Sequence, residues 1–246
     1  MSGLRSWVFA HRVEMLDIQK PNGFRWRDSD AYLFDIDGTL LLSKDRTHRY
    51  ALHRALLDVY RVETAIDGFA YHGKTDLGIL RAALERAGIT TSVIDDRMPE
   101  ALEVVRRDAA QKAQRFIPNV LPGIRGVLER LLSSGKLLGV ASGNLELVGW
   151  LKVQAAGLRE FFEFGRFADE CELREDIFRA GVAEVQRRLG PAATVCFVGD
   201  TPDDVRAARV AGGRVIAVGT GIFKVEGLAC HGPDATIGCC SELLAL

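Results

Sequence analysis

The sequence predicts an α/β fold: a parallel sheet covered by helices on both faces, with an all-helical insert after its first strand. Three observations carry this. Short, continuous apolar runs recur at 31–34, 137–141, 195–198 and 215–218. Continuous rather than alternating runs suit parallel strands buried on both faces. Helical periodicity separates the later runs, which implies right-handed crossovers. Between the first run and the second, helical patterning stands alone.

Residues 1–28 carry weak patterning, with a turn signalled at Pro21-Asn22-Gly23, and are expected to form an N-terminal extension. Ala31-Tyr32-Leu33-Phe34 reads as a strand that runs into a loop at Asp35 and Gly38. Helical stretches follow near 48–60, 75–87 and 99–115, with Gly88 and Pro118 as stops. Beyond them, apolar positions 124, 127, 128, 131 and 132 line one face of a helix, and 145–156 and 177–189 behave similarly. The expected division is an α/β core from 29–44 and 119–246, and a helical cap from 45–118.

The chain has 246 residues, 48% hydrophobic and 26% charged, the composition of an ordinary globular protein. Its 32 basic and 33 acidic residues leave a net charge of -1, which argues against a generally basic nucleic-acid binder. Five cysteines without CxxC spacing point to reduced thiols, and Cys230 beside His231 is too little for a metal site. No apolar run approaches a membrane span, and Trp7-Val8-Phe9-Ala10 is too short for a signal peptide core. A cytoplasmic protein is expected, with no nucleic-acid or membrane partner; a monomer and a homodimer both suit it.

In open α/β sheets, ligands bind beyond the carboxyl ends of the strands. Three of those ends carry chemistry here. The first delivers Asp35-Ile36-Asp37-Gly38-Thr39-Leu40, the second Ser142-Gly143-Asn144, and the third Gly199-Asp200-Thr201-Pro202-Asp203-Asp204. Singly, each has a plain explanation: Asp before Gly makes turns, and Thr201 before Pro202 caps a helix. Together they crowd carboxylates that repel unless a cation neutralises them. Hard oxygen ligands suit magnesium, and magnesium works with phosphate substrates. A carboxylate can attack phosphorus, and a second one can protonate the leaving oxygen and then activate water. Ser142 and the backbone N–H groups of Gly143 and Asn144, at a helix start, can hold phosphate oxygens.

These residues resemble the haloacid dehalogenase superfamily of hydrolases, in the style of its phosphoglycolate phosphatase-like branch. Asp35-Ile36-Asp37-Gly38-Thr39 is similar to its DxDGT motif, Val140-Ala141-Ser142 to its second, and Gly199-Asp200 through Asp204 to its fourth, GDxxxD. The resemblance covers residue 30 to the C-terminus. It implies a Rossmann-like core with a helical cap, Asp35 as nucleophile and Mg2+ ligand, and Asp37 as general acid/base with its carbonyl on the metal. It further implies Asp200 as a metal ligand, Asp204 as a support for the metal, and Ser142 as a phosphoryl holder.

The family's third motif, a lysine in Lys-Pro-x-Pro, is missing. Glu172-Leu173-Arg174-Glu175 precedes Asp176-Ile177-Phe178, and no lysine occurs between Lys152 and Lys224. Arg174 is the candidate cation, since arginine stays charged and binds phosphate bidentately. Lys152 ranks lower, because a lysine on a helix face is usually solvated. In the cap, Gly73-Lys74-Thr75-Asp76 resembles a segment aimed at substrate: Lys74 either meets a substrate anion or stays exposed while Thr75 caps a helix. His72 is a weaker candidate.

A magnesium-dependent phosphatase acting on a small phosphomonoester, phosphoglycolate-like or a sugar phosphate, is therefore expected. A phosphomutase of the beta-phosphoglucomutase type is the first alternative, disfavoured by Asp204; a catalytically silent binding module is the second. Dehalogenation does not use the second aspartate, and phosphonate cleavage goes with DxAGT, so Asp37 argues against both.

Overall fold

The computed structural model describes residues 24–63, 66, 73–169 and 171–245. The turn at 21–23, most of the extension and His72 lie outside them. Six parallel strands form the main sheet: β1 (Ala31–Phe34), β4 (Leu137–Ala141), β5 (Phe164–Arg166), β6 (Val195–Gly199), β7 (Arg214–Val218) and β8 (Ala235–Ile237), in the order β5-β4-β1-β6-β7-β8. Two short strands, β2 (Leu41–Ser43) and β3 (Pro118–Val120), pair antiparallel at the two ends of the helical insert. β5 and β8, three residues each, are additions to the expected strands.

Strand side chains alternate between two apolar cores, as a period of two requires. Tyr32, Phe34, Cys196, Val198, Ile216 and Val218 enter one core. There they meet α4 (Ile124–Ser133), Val153 of α5 (Glu146–Ala155) and Leu243 of α9 (Ser241–Leu244). Leu33, Phe197, Val215 and Ala217 enter the other, under α6 (Arg174–Leu189), α7 (Pro202–Val210) and Leu228 of α8 (Val225–Ala229). Phe178 stacks on Phe197 there, with ring centroids 4.2 Å apart. Phe24 and Trp26, at the end of the supposed extension, are buried in the first core. The Tyr32 hydroxyl donates to the Trp26 carbonyl, which ties that segment to the central strand.

The insert holds α1 (Thr47–Tyr60), α2 (Asp76–Arg86) and α3 (Thr91–Gln111). The third helix starts at Thr91, not near 99, and Pro99 lies inside it. Proline there removes one N–H from the helical ladder without ending the helix. Leu52, Leu56, Leu80, Leu84, Ile94 and Val105 form a third core that closes on Leu145 and Val148 beside and within α5. Each such side chain gains about 1.5–3 kcal/mol on burial, so the insert is seated on α5 by its own apolar interior. Among the described residues no helix is long and apolar enough to cross a membrane. None of the five cysteines forms a disulfide.

The central position of β1 creates the site. The chain leaves it towards β4 on one side and returns through β6 on the other, so the strand order reverses there. Such a reversal opens a crevice at the carboxyl ends of the strands.

Candidate active site

Asp35 follows β1, and its N–H still donates to the Val198 carbonyl of β6 at 2.9 Å, so the ladder fixes its backbone. Its carboxylate is buried at the floor of a cavity of about 640 Å³. Asp37, Ser142, Gly143, Asn144, Arg174 and Asp200 line the same cavity. Lys74, from the loop before α2, lines its rim. Asp204 does not reach the wall. It is fully buried beneath it and belongs to the first turn of α7.

The Asp204 carboxylate is spoken for on both sides. Oδ2 accepts from the Thr201 N–H and hydroxyl, which completes a capping box. Oδ1 accepts from Arg174 Nε at 2.7 Å. Arg174 is the first residue of α6, where the helix dipole disfavours a cation. Burial also works against its charge, but Asp204 and then Asp35 outweigh both and hold its pKa above the ordinary arginine value. Its Nη2 stands 2.9 Å from Asp35 Oδ1 and 2.6 Å from Asp204 Oδ1. Neither contact is directed along an N–H, so Nη2 is a buried donor without a hydrogen-bond acceptor. Nη2 is thus ion-paired to both carboxylates while its N–H directions stay open to an anionic ligand in the cavity.

Asp35, Asp200 and Asp204 each offer an oxygen within 4.8 Å of the other two. Arg174 is the cation that faces this group, so negative charge exceeds positive. Burial first, and then Asp204 and Asp35, push the Asp200 pKa upward; its hydrogen bond from Thr39 at 3.3 Å acts the other way. Burial likewise raises Asp35, against the pull of Arg174. Gly38, at φ +87°, and Gly221 hold their backbones against the Asp200 carboxylate, and a Cβ at either would collide with it. A buried carboxylate in excess, with oxygen atoms as its neighbours, suits a hard divalent cation. Asp35 and Asp200 would hold it. Asp204, both oxygens already engaged, stands behind them.

Asp37 has a different environment. Its carboxylate opens into the cavity, 43% of the side chain being accessible. Burial of its surroundings acts to raise its pKa, but the Lys152 ammonium, the Asn144 amide and His48 together hold it below the usual value. Asn144 Nδ2 bridges Asp37 Oδ2 at 3.0 Å and the Ser142 hydroxyl at 2.8 Å. Two aspartates two residues apart thus have opposed surroundings: one buried with a deficit of positive charge, the other open and held by a lysine.

Lys152 departs from the solvated lysine expected on a helix face. It is 3% exposed, not solvated, and its Nζ lies 2.6 Å from Asp37 Oδ2. His48 of the insert went unremarked, yet its Nε2 is 3.0 Å from Oδ2 of Asp76, the last residue of the Gly73-Lys74-Thr75-Asp76 segment. Asp76 also accepts the Leu145 N–H at 2.8 Å and donates its own to the Gly143 carbonyl at 2.8 Å, so α2 is docked on the second strand end. Thr75 caps α2 through the Gly78 N–H, and its hydroxyl donates to the Glu172 carbonyl at 2.6 Å. Lys74 is half exposed, with Nζ 3.6 Å from Asp203. Of the sequence candidates, Asp35, Asp37, Ser142, Gly143, Asn144, Asp200, Arg174 and Lys74 line one cavity, and Asp204 is buried beneath it.

A parallel sheet with carboxylates packed at the point where its strand order reverses, beside a helical insert, is an α/β fold with a ligand cavity at its switch point. The chain belongs to the haloacid dehalogenase-like hydrolase family, whose model matches residues 29–212. Among curated relatives, it is 29% identical over 156 residues to a probable phosphatase, IndB, of Dickeya dadantii (strain 3937), covering 62% of this chain and 66% of that one. It is 27% identical over 207 residues to a phosphoglycolate phosphatase of Pseudomonas savastanoi pv. phaseolicola, covering 83% and 75%. The crystal structure of CbbY from Rhodobacter sphaeroides in complex with phosphate superposes with a TM-score of 0.67 at 22% identity, over 87% of this chain and 96% of the other.

Proposed function

We propose that the chain is a magnesium-dependent phosphatase that hydrolyses a small phosphomonoester through an aspartyl-phosphate on Asp35. The observation that carries this is the buried Asp35 carboxylate, with Arg174 Nη2 beside it lacking an acceptor at the cavity floor. A dianionic phosphoryl group placed there supplies acceptors to Arg174 and puts phosphorus in reach of Asp35. The phosphatase names of the curated relatives agree with it.

In the first step an Asp35 oxygen forms a bond to phosphorus as the bond to the substrate oxygen breaks. Asp37 is held ionised in the free site; the dianionic phosphoryl group beside it raises its pKa, and it then gives the proton it takes up to the leaving alkoxide. Arg174 and Ser142 hold the equatorial oxygens. In the second step Asp37 takes a proton from water, whose oxygen attacks phosphorus and frees Asp35. Asp35, Asp200 and the Asp37 carbonyl, with Asp204 behind them, would hold magnesium, which would supply charge compensation between carboxylate and phosphate when bound. The insert, 45–118, serves as a cap that excludes water while the group is transferred, over a core from 29–44 and 119–246. Gly143 and Asn144 contribute backbone N–H groups, and Lys74 meets a second anionic group on a phosphoglycolate-like or sugar phosphate substrate. Cysteines without a disulfide fit a reducing, cytoplasmic setting.

The test is phosphate release from a panel of phosphomonoesters with magnesium, including phosphoglycolate and hexose phosphates. Wild type is expected to release phosphate from some of them, and Asp35→Asn from none while its circular dichroism is unchanged. Near-normal turnover by Asp35→Asn overturns the nucleophile. Interconversion of glucose phosphate isomers without phosphate release makes the enzyme a phosphomutase.

A further inference from the structure

Lys152 is a buried cation with a complete set of acceptors. Its Nζ lies 2.6 Å from Asp37 Oδ2, 2.7 Å from Asn144 Oδ1 and 3.1 Å from His48 Nδ1. Three acceptors match the three protons of an ammonium, so the network assigns Nδ1 of His48 as an acceptor and Nε2 as a donor. Nε2 then donates to Asp76 Oδ2 at 3.0 Å. The result is a continuous line from Asp37 through Lys152 and His48 to Asp76. Its first two members belong to the core, and its last two to α1 and α2 of the insert.

The line acts on one oxygen of Asp37. Oδ2 accepts from Lys152 and from Asn144, whereas Oδ1 accepts no hydrogen bond among the described residues. Two donors on Oδ2 stop rotation of the carboxylate and leave Oδ1 as the oxygen that faces the cavity. Lys152 does not reach Asp35, whose cation is Arg174. Two buried cations of the cavity are thus divided: Arg174 serves the buried carboxylate and Lys152 the open one.

We infer that Lys152 is a positioning residue for Asp37, fixing Oδ2 so that Oδ1 meets the leaving-group oxygen, and that His48 holds Lys152 in place from the insert. This rests on the reading of Asp37 as the general acid. It makes proton delivery depend on the seat of the insert. With α1 withdrawn, Lys152 loses one of three acceptors, and the hold on Asp37 loosens before any substrate contact is lost.

The experiment compares kcat/KM for p-nitrophenyl phosphate, whose leaving group needs little protonation, with that for phenyl phosphate, whose leaving group needs more. This quantity reports steps up to phosphoryl transfer, before water attacks. Positioned general acids contribute about 10²–10⁴-fold. Lys152→Met is expected to lower kcat/KM on phenyl phosphate by about tenfold or more beyond its effect on p-nitrophenyl phosphate. His48→Ala is expected to move the ratio in the same direction by less, and Lys152→Arg to restore part of it. Asp37→Asn reports on the underlying reading, and its ratio is expected to shift the most. If Asp37→Asn shifts the ratio and the Lys152 and His48 variants leave it at the wild-type value, the positioning role is wrong. If Asp37→Asn itself leaves the ratio unchanged, the general-acid reading falls first. Should Lys152→Met fail to fold, Lys152→Arg and His48→Ala decide by the same ratio.

Discussion

Arg174 Nη2 reaches from the first turn of α6 to within 2.9 Å of Asp35 Oδ1. The same guanidinium reaches Asp204 through Nε at 2.7 Å, so one planar group bridges carboxylates from two strand ends. A lysine ammonium is a point charge and does not reproduce that fork.

Arg174→Lys is therefore expected to keep the fold and lose activity, and Arg174→Ala to lose both. Removing one partner of a buried charge pair costs about 3–5 kcal/mol because the other charges stay buried. Removing a donor that stabilises developing charge costs about 10²–10³-fold in kcat. Thermal denaturation and phosphate release, read side by side on the two variants, separate these effects. Equal activity of Arg174→Lys and wild type tells against the bridging role.

How much of this was legible in the sequence depends on what each residue is attached to. Asp35, Ser142 and Asp200 end short buried strands, and a strand that reads clearly places its last residue. Lys152 did not read clearly, because its partners are dispersed: Asp37 lies 115 residues away and His48 104, and no local pattern joins them. A lysine among the apolar positions of α5 was the signal available, and solvation is its ordinary meaning. The edge strands β5 and β8 are three residues long, too short for a periodicity of their own. The start of α3 was obscured by Pro99, whose local preference the apolar face of Ile94, Met98 and Leu102 overrides.

Magnesium and pH should act on stability through Asp200. Its pKa is raised in the folded protein by burial and by Asp204 and Asp35. A carboxyl raised in this way favours folding fully below its unfolded pKa of about 3.9, and that contribution is lost as pH rises through the folded value. Metal-free protein is thus expected to lose thermal stability between about pH 5 and about pH 8. Added magnesium should restore it most at the upper end. Asp200→Asn removes the titrating group, so in chelator its Tm should fall less over the same range. At neutral pH it should exceed wild type by about 2–4 °C for each kcal/mol relieved, while activity disappears. A wild-type Tm in chelator that is flat over this range, or unmoved by magnesium, tells against the cation site.

Lys74 supplies the test of what the substrate carries besides its phosphoryl group. The residue lines the cavity rim, is half exposed, and lies 3.6 Å from Asp203, a loose pair that a stronger anion displaces. Its backbone is fixed all the same, since Gly73 and Thr75 on either side bond to Arg174 and to the Glu172 carbonyl. A fixed backbone with a free ammonium suits recognition rather than chemistry. Lys74→Ala should raise KM about fivefold for a phosphomonoester with a second anionic group, the equivalent of a partly exposed ion pair of about 1 kcal/mol. Its kcat should stay near wild type, because the ammonium pairs with Asp203 rather than with Asp35 or Asp37. KM for p-nitrophenyl phosphate, which has no second anion, should not move. A uniform rise for both substrates would mean that Lys74 serves the loop rather than the ligand.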